Sequence, residues 1–410
     1  MKRIILITSK FPYIGGEQFL ETEIKYYANI ELIIMPKVQG SYLRKIPTSI
    51  VVDNFLAKNS FTKSKLIYLL KALRHKVFYK ELISEKFINI KKIKRFLSSI
   101  YLYQMYYELF DSYFSKVQDL RSIIVYTYWN DEITYALQSL KEKYHYGLIS
   151  RIHRGDLYKE RRAFEYMPLK KHFTKNIDTL YTITKSANQY LKDTYGFDEK
   201  LLELSRLGVD DRKIITKTSP KNVLNIVSCS FLSEVKQIDK IIRSLKVIAT
   251  QMKLVNFFWT HIGDGILYDE LLILAKNELN SLDNIQYSFV GNYENEKVYQ
   301  FYSENTVDVF LNVSLSEGVP VSIMEAMSCH IPIIAPDIGG IKDMLIDNYN
   351  GFLLSEECLI SDIVKSLKNI DFFKDLTIRK NSYKIFLEKY DAQKNYTEFR
   401  EEILSIGMHK

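Results

Sequence analysis

The chain has 410 residues, 57 Lys and Arg against 49 Asp and Glu, and a formal net charge of +8; hydrophobic residues make up 47% and charged residues 26%, an ordinary globular balance. That length is too great for one simple core, so two domains are expected, and no uncharged apolar run is long enough to cross a bilayer. Three scattered cysteines, Cys229, Cys329 and Cys358, form neither a disulfide framework nor a metal spacing and point to a reducing compartment, while the positive balance suits nucleic acid, an anionic membrane face or a phosphorylated substrate.

The start is basic and then apolar, but Lys10 and Pro12 end it too soon for a signal peptide, so Lys2 to Thr8 reads as a buried strand. The loop Ser9 to Glu17, S-K-F-P-Y-I-G-G-E, carries Gly15 and Gly16, and a glycine pair between strand and helix lets backbone approach a ligand closely. A helix over Gln18 to Ala28 and a strand over Glu31 to Met35, stopped by Pro36, follow. Ser60 to Ser115 reads as long, helical and basic, with Lys63, Lys65, Lys71, Arg74, Lys76 and Lys80 interleaved with Leu, Ile, Phe and Tyr. That pattern fits a solvated helix face over ordinary core, or a surface lying on anionic lipid; no nucleic-acid module accompanies it.

Strands are expected at Arg121 to Thr127, Gly147 to Arg151, Ile177 to Ile183 and Leu202 to Ser205, with a helix over Asp131 to Glu142. His153, Arg154 and Asp156 follow a strand end, where ligands gather in parallel sheets. Thr184 reads as the N-cap of a helix through Tyr195. After Pro220 a second run of units begins. Strands are expected at Asn222 to Ser230, Val255 to Ile262, Ile285 to Val290, Asp308 to Val313 and Ile331 to Ala335. Helices are expected at Lys236 to Thr250, Leu267 to Leu279, about 294 to 303, Asp362 to Leu367 and Lys374 to Leu387, with an amphipathic segment over Tyr396 to Ile406.

The stretch Ser314 to Gly340 holds the densest signal. A polar loop, Ser314 to Gly318, leads to Pro320, read as first-turn residue of a helix, and Gly339-Gly340 is read as opening another. Glu317 lies in the loop and Glu325 on the helix. Free N–H groups at a helix start attract anions, and carboxylates around them can accept hydrogen bonds from sugar hydroxyls.

The ordered series E-G-V-P-V-S-I-M-E-A-M, I-P-I-I-A, G-G-I-K-D-M-L and N-G-F-L-L resembles the donor-binding region of the large retaining glycosyltransferase family with the GT-B fold, family 4. The resemblance is strongest over Asn312 to Leu354 and thin over Ser60 to Ser115. It implies an α/β chain of two doubly wound Rossmann-like domains facing across a cleft. The expected domains are 1–207 on the acceptor side and 208–390 on the donor side, with a C-terminal helix at about 391–410 packing back on the first. It implies transfer of a sugar from a nucleotide-diphosphate donor to a hydroxyl acceptor, in bacterial surface polysaccharide synthesis.

Residue by residue, the resemblance makes His153, Glu317 and Lys236 the catalytic candidates. Donor binding falls to Gly15, Gly16, Ser230, Lys236, Gly263, Gly318, Val319, Pro320, Val321 and Glu325, and the acceptor or cleft side to Arg154 and Asp156. The family's Arg ahead of Lys236 is replaced by Phe231, or by Ser230 if the register slips, which weakens the diphosphate clamp. No Asp-x-Asp pair is present, so no divalent metal or cofactor is expected, the nucleotide sugar being a substrate. Expected partners are that donor, a carbohydrate or lipid-linked acceptor and an anionic membrane surface, with no nucleic acid. The expected place is the cytoplasm, peripheral on the inner face of the plasma membrane. Two other classes remain open: a nucleotide-sugar epimerase of the same fold, and a sugar-nucleotide binding protein of weak catalysis.

Overall fold

A computed structural model describes residues 3–15, 17–27, 30–85 and 89–406. The chain divides into two compact units, Met1–Arg206 with Tyr396–Lys410, and Leu207–Asn395. Both are parallel sheets covered by helices, as the sequence reading expects.

The first unit holds strands β1 (Arg3–Thr8), β2 (Glu31–Pro36), β3 (Val51–Val52), β4 (Ile123–Thr127), β5 (Gly147–Ile152), β6 (Thr179–Thr182) and β7 (Leu202–Leu204). Their order in the sheet is β3-β2-β1-β4-β5-β6-β7. Strand side chains alternate between faces, and the apolar run of β1 therefore feeds two cores. Ile5 and Ile7 pack with Val125 on one side, and Ile4 and Leu6 with Ile124 and Tyr126 on the other. The second of these cores also takes Phe399 and Ile403 from the C-terminal helix Ala392–Ser405.

Caps set several helix starts. The Asp131 carboxylate accepts from the Ile133 N–H ahead of helix Glu132–Tyr144, and Thr184 accepts from the Ala187 N–H ahead of helix Lys185–Tyr195.

The second unit holds β8 (Val223–Cys229), β9 (Asn256–Ile262), β10 (Ile285–Phe289), β11 (Val309–Leu311), β12 (Ile333–Pro336) and β13 (Gly351–Leu354), ordered β10-β9-β8-β11-β12-β13. Helix Ile238–Gln251 buries Ile238, Ile241, Ile242, Leu245 and Ile248, one stripe of a 3.6-residue period.

Several details differ from the sequence reading. The helix expected over Gln18 to Ala28 is a short α-turn, Leu20–Glu23, running into a 3-10 turn, Ile24–Tyr27, and Ala28 lies outside the described residues. The basic stretch is not one run: it forms helices Lys65–Ala72, Lys76–Ser84 and Ile90–Phe114, broken first where His75 turns extended. Lys236 closes a 3-10 turn, Glu234–Lys236, and the α-helix begins at Ile238, because Gln237 adopts a left-handed conformation between them. Pro320 stands at the N-cap with extended ψ rather than inside the first turn. Gly339-Gly340 leads into a single 3-10 turn, Ile341–Asp343, since the chain must re-enter the sheet at Gly351.

Candidate functional site

In open parallel sheets, ligands bind beyond the carboxyl ends of the strands where the strand order reverses. In the second unit that point lies between β8 and β11. The loop leaving β8 carries Ser230 to Lys236, and the loop leaving β11 carries Asn312 to Gly318. Lys236 Nζ and Glu317 Oε1 meet there at 2.6 Å. The same carboxylate oxygen accepts from Ser314 Oγ at 2.6 Å and Asn312 Nδ2 at 3.3 Å. Glu317 is thus held in place by three donors, and its other oxygen has no partner among the described residues.

Glu325 sits on helix Val321–Ser328 and is 6% exposed. It has no cationic partner among the described residues; Asn295 Nδ2 donates to it. Burial pushes its carboxyl up to about 7, against which the Asn295 hydrogen bond works. The half-buried Cys229 thiol lies at the end of β8, between Glu325 and Lys236 in its electrostatics. Burial first, then the Glu325 charge, raise it to about 12, while Lys236 lowers it.

Backbone groups complete the cluster. The first N–H groups of a helix lack intrahelical acceptors, and here Ile323 and Met324 turn back to the Pro320 carbonyl, leaving Val321 and Ser322 ahead of them. Pro320 has no N–H of its own and stands at the helix entry, where its carbonyl accepts from the Ile323 and Met324 N–H groups. Gly318 is pinned by its carbonyl, which accepts from the Gly340 N–H at 2.6 Å. Gly339, at φ +54, is where the chain passes closest: a Cβ there would lie 2.0 Å from the Glu317 carbonyl. The Gly-Gly turn therefore braces the loop that presents Glu317, and Val319 packs into it as a buried residue.

Ser230 and Gly263 brace the neighbouring loop. A Cβ on Gly263 would lie 1.9 Å from the Ser230 carbonyl, and the Gly263 N–H donates to the Gly291 carbonyl. The Ser230 hydroxyl donates to the adjacent Phe231 carbonyl at 3.3 Å. Phe231, where the resemblance looks for an Arg, is 69% exposed.

The first unit has its own cluster beyond β1, β4 and β5, where its strand order also reverses between β1 and β4. Glu17, buried beside Gly15, accepts from the N–H groups of Ser9, Lys10 and Phe11 and from Trp129 Nε1. Gly15 adopts φ +89 there, and Gly16 lies outside the described residues. The His153 ring lies 4.6 Å from the Tyr128 ring centre and 4.8 Å from that of Trp129. Neither ring nitrogen has a hydrogen-bond partner among the described residues. Burial, then the charge of Arg151, hold its pKa well below the usual histidine range, so the ring is neutral.

Asp156, read as an acceptor-side group, is engaged within the fold. Its two oxygens accept from the backbone N–H groups of Asn130 and His153 at 2.6 and 2.7 Å, the second tying it to the residue that opens the short helix Arg154–Leu157. Burial raises it to about 6. Arg154 is the first residue of that helix.

Sequence reasoning passed over Glu17, Asn295, Asn312 and Ser314. Ser314 and Asn312 precede Glu317 at short range and were open to notice, as was Glu17 for the loop N–H groups of Ser9 to Phe11; the bonds of Trp129 to Glu17 and of Asn295 to Glu325 span 112 and 30 positions, which no local pattern reveals. It also missed a fully buried ion pair, Arg151–Glu23 at 3.0 Å, with Arg151 Nη2 on Ser205 Oγ. Among the described residues no group of three or more His, Cys, Asp or Glu side chains could hold a metal ion.

Residues 210–371 match the family model of glycosyl transferases group 1. The amylovoran biosynthesis glycosyltransferase AmsK of Erwinia amylovora is 27% identical over 170 residues, 39% of this chain and 40% of that one. The chain thus spans well under two thirds of that curated relative. The lipopolysaccharide outer core galactosyltransferase WaaB superposes with a TM-score of 0.71 at 16% identity, covering 98% of this chain and 99% of that one. HepE of Anabaena, solved with UDP-glucose, gives 0.63 at 15% identity, covering 99% and 100%. The fold is that of GT-B glycosyltransferase structures.

Proposed function

We propose that the protein is a retaining, family 4 glycosyltransferase that moves a sugar from a nucleotide-diphosphate donor to a hydroxyl acceptor, in bacterial surface polysaccharide synthesis. The observation that carries this is the meeting of Lys236 with Glu317 at the switch point of the second unit, with Glu325 buried nearby and without a cation. The family match over residues 210–371 and the UDP-glucose bound to HepE support it.

The barrier is departure of the nucleoside diphosphate while positive charge builds on the sugar. Lys236 and the leading N–H groups of Val321 and Ser322 stabilise the leaving diphosphate. That requires Lys236 to give up Glu317. The exchange is conservative, because Glu317 keeps Ser314 and Asn312 and gains the transferred sugar's hydroxyls. Glu325 accepts from the ribose hydroxyls, for which a buried, cation-free carboxylate is suited. His153, neutral and with both nitrogens open, hydrogen-bonds the transferred sugar or the acceptor, a carbohydrate or lipid-linked alcohol.

Phe231 in place of the family's Arg favours a second reading, a sugar-nucleotide binding protein of weak catalysis. One experiment separates the readings. Purified protein is incubated with a panel of nucleotide sugars and simple glycoside acceptors, nucleoside diphosphate release is followed, and the product anomer is assigned by NMR. Release coupled to a product of retained configuration supports the proposal. Donor binding without release supports the second reading, and an altered donor sugar without acceptor supports an epimerase.

A further inference from the structure

Trp129 follows β4 at the carboxyl end of the first sheet and is half-buried, while Tyr128 and Asn130 on either side of it are buried. The backbone beneath it is tied at all three residues. The Tyr128 N–H donates to the Ile7 carbonyl, the Trp129 carbonyl accepts from the Thr134 hydroxyl at 2.9 Å, and the Asn130 N–H donates to Asp156. The buried Lys170 ammonium donates to the Asn130 carbonyl at 2.8 Å and to its side-chain oxygen at 2.7 Å. The indole edge is tied as well, through Nε1 to Glu17 Oε1 at 2.8 Å.

Glu17 has no capacity left for a ligand. A carboxylate offers about four acceptor positions, and the N–H groups of Ser9, Lys10, Phe11 and Trp129 fill them. Its work is to fix the loop leaving β1 and, with it, the indole edge. What remains open is the ring face. Among the described residues no ring stacks on it: Tyr128 meets the indole at 80° and His153 at 49°. The His153 ring stands 4.8 Å away with neither nitrogen hydrogen-bonded among the described residues, and a neutral imidazole offers one donor and one acceptor. The cluster is therefore a fixed apolar plate with one donor and one acceptor at its border.

We infer that Trp129 is the platform on which a sugar ring of the acceptor lies, with Glu17 as the residue that positions it. This role rests on the glycosyltransferase reading of the chain. A pyranose has a face of C–H groups and a rim of hydroxyls, the complement of a flat indole bordered by a donor and an acceptor. Because backbone and indole edge are fixed before binding, little side-chain freedom is lost when the ring docks. A nucleobase stacks on an indole too, but the cation that suits a donor's diphosphate, Lys236, belongs to the second unit.

Trp259 is the only other tryptophan in the sequence, so in the full-length Trp259→Phe chain the emission of Trp129 is read alone. That protein, its fold checked by circular dichroism, is titrated with the methyl glycosides of glucose, galactose, mannose and rhamnose, and with uridine. A saturable change is expected with at least one glycoside. No change with any glycoside, or a change with uridine only, would overturn the inference. In the parent background, KM for the responding glycoside should rise about tenfold or more in Trp129→Ala and stay within about threefold in Trp129→Phe, while kcat and the calorimetric affinity for nucleotide sugar hold. Glu17→Gln should raise the same KM and, combined with Trp259→Phe, shift the Trp129 emission. An unchanged KM in Trp129→Ala, or a loss of donor affinity equal to the loss for the glycoside, would overturn the inference as well. Glycoside binding seen by fluorescence without any turnover would count instead against the transferase reading and leave the sugar platform standing.

Discussion

Replacing Glu325 with glutamine should stabilise the protein at neutral pH while weakening its hold on a nucleotide sugar. The carboxyl's ordinary value is 4.5, and burial raises it to about 7 in the folded chain. Below pH 4.5 both folded and unfolded chains hold the proton, so wild type and Glu325→Gln should differ little. Between 4.5 and 7 the folded chain keeps a proton that the unfolded chain has released, so wild-type stability falls as pH rises. Above 7 the carboxylate is ionised in both states and the cost of burying it is complete. At about 1.4 kcal/mol for each tenfold change in proton affinity, the full cost is about 3 kcal/mol. The glutamine carbonyl can still accept from Asn295, so that hydrogen bond survives. Urea unfolding of both proteins at pH 5, 6, 7 and 8 is the assay. The gap between them should open across this range to about 3 kcal/mol in favour of the variant. A gap that stays constant with pH would refute the reasoning, and with it the claim that this carboxylate is buried without a cation.

Three further substitutions probe the framework. Lys236→Met should lower nucleoside diphosphate release by about a hundredfold while the fold, read by circular dichroism, stays intact. Glu23→Gln should destabilise the first unit by about 3 kcal/mol by stranding Arg151, and adding Arg151→Met should recover much of that loss in thermal unfolding. Gly339→Ala should destabilise the second unit by about 1–2 kcal/mol or more, since it adds a Cβ at φ +54 against the Glu317 carbonyl, and should lower donor affinity in a calorimetric titration.

What the residue string made legible is what rests on short-range periodicity. The apolar runs of β1, β8 and β9 announce interior parallel strands, and the stripe from Ile238 to Ile248 announces a helix packed on one side. Thr184 and Asp131 mark helix starts through bonds only two or three residues long. Glu317 and Glu325 stood out because loop, helix and following strand are contiguous. What stayed hidden depends on which strands become neighbours. Lys236 and Glu317 are 81 positions apart and Trp129 and Glu17 112 apart. Arg151 and Glu23 are 128 apart. None of these pairs has a local signature. Asp156 shows the converse: beside a histidine at a strand end it looks chemical, yet both its oxygens are occupied by backbone N–H groups.

The central claim is that the β8–β11 switch point of the second unit holds a nucleotide-diphosphate sugar through Lys236, Glu317 and Glu325. Calorimetric titration of the full chain with UDP-glucose and other nucleotide sugars, on wild type and on Glu317→Ala and Glu325→Ala, tests it most directly. One saturable site is predicted for at least one donor, abolished in Glu325→Ala and severely weakened in Glu317→Ala. Undiminished affinity in both variants would contradict it.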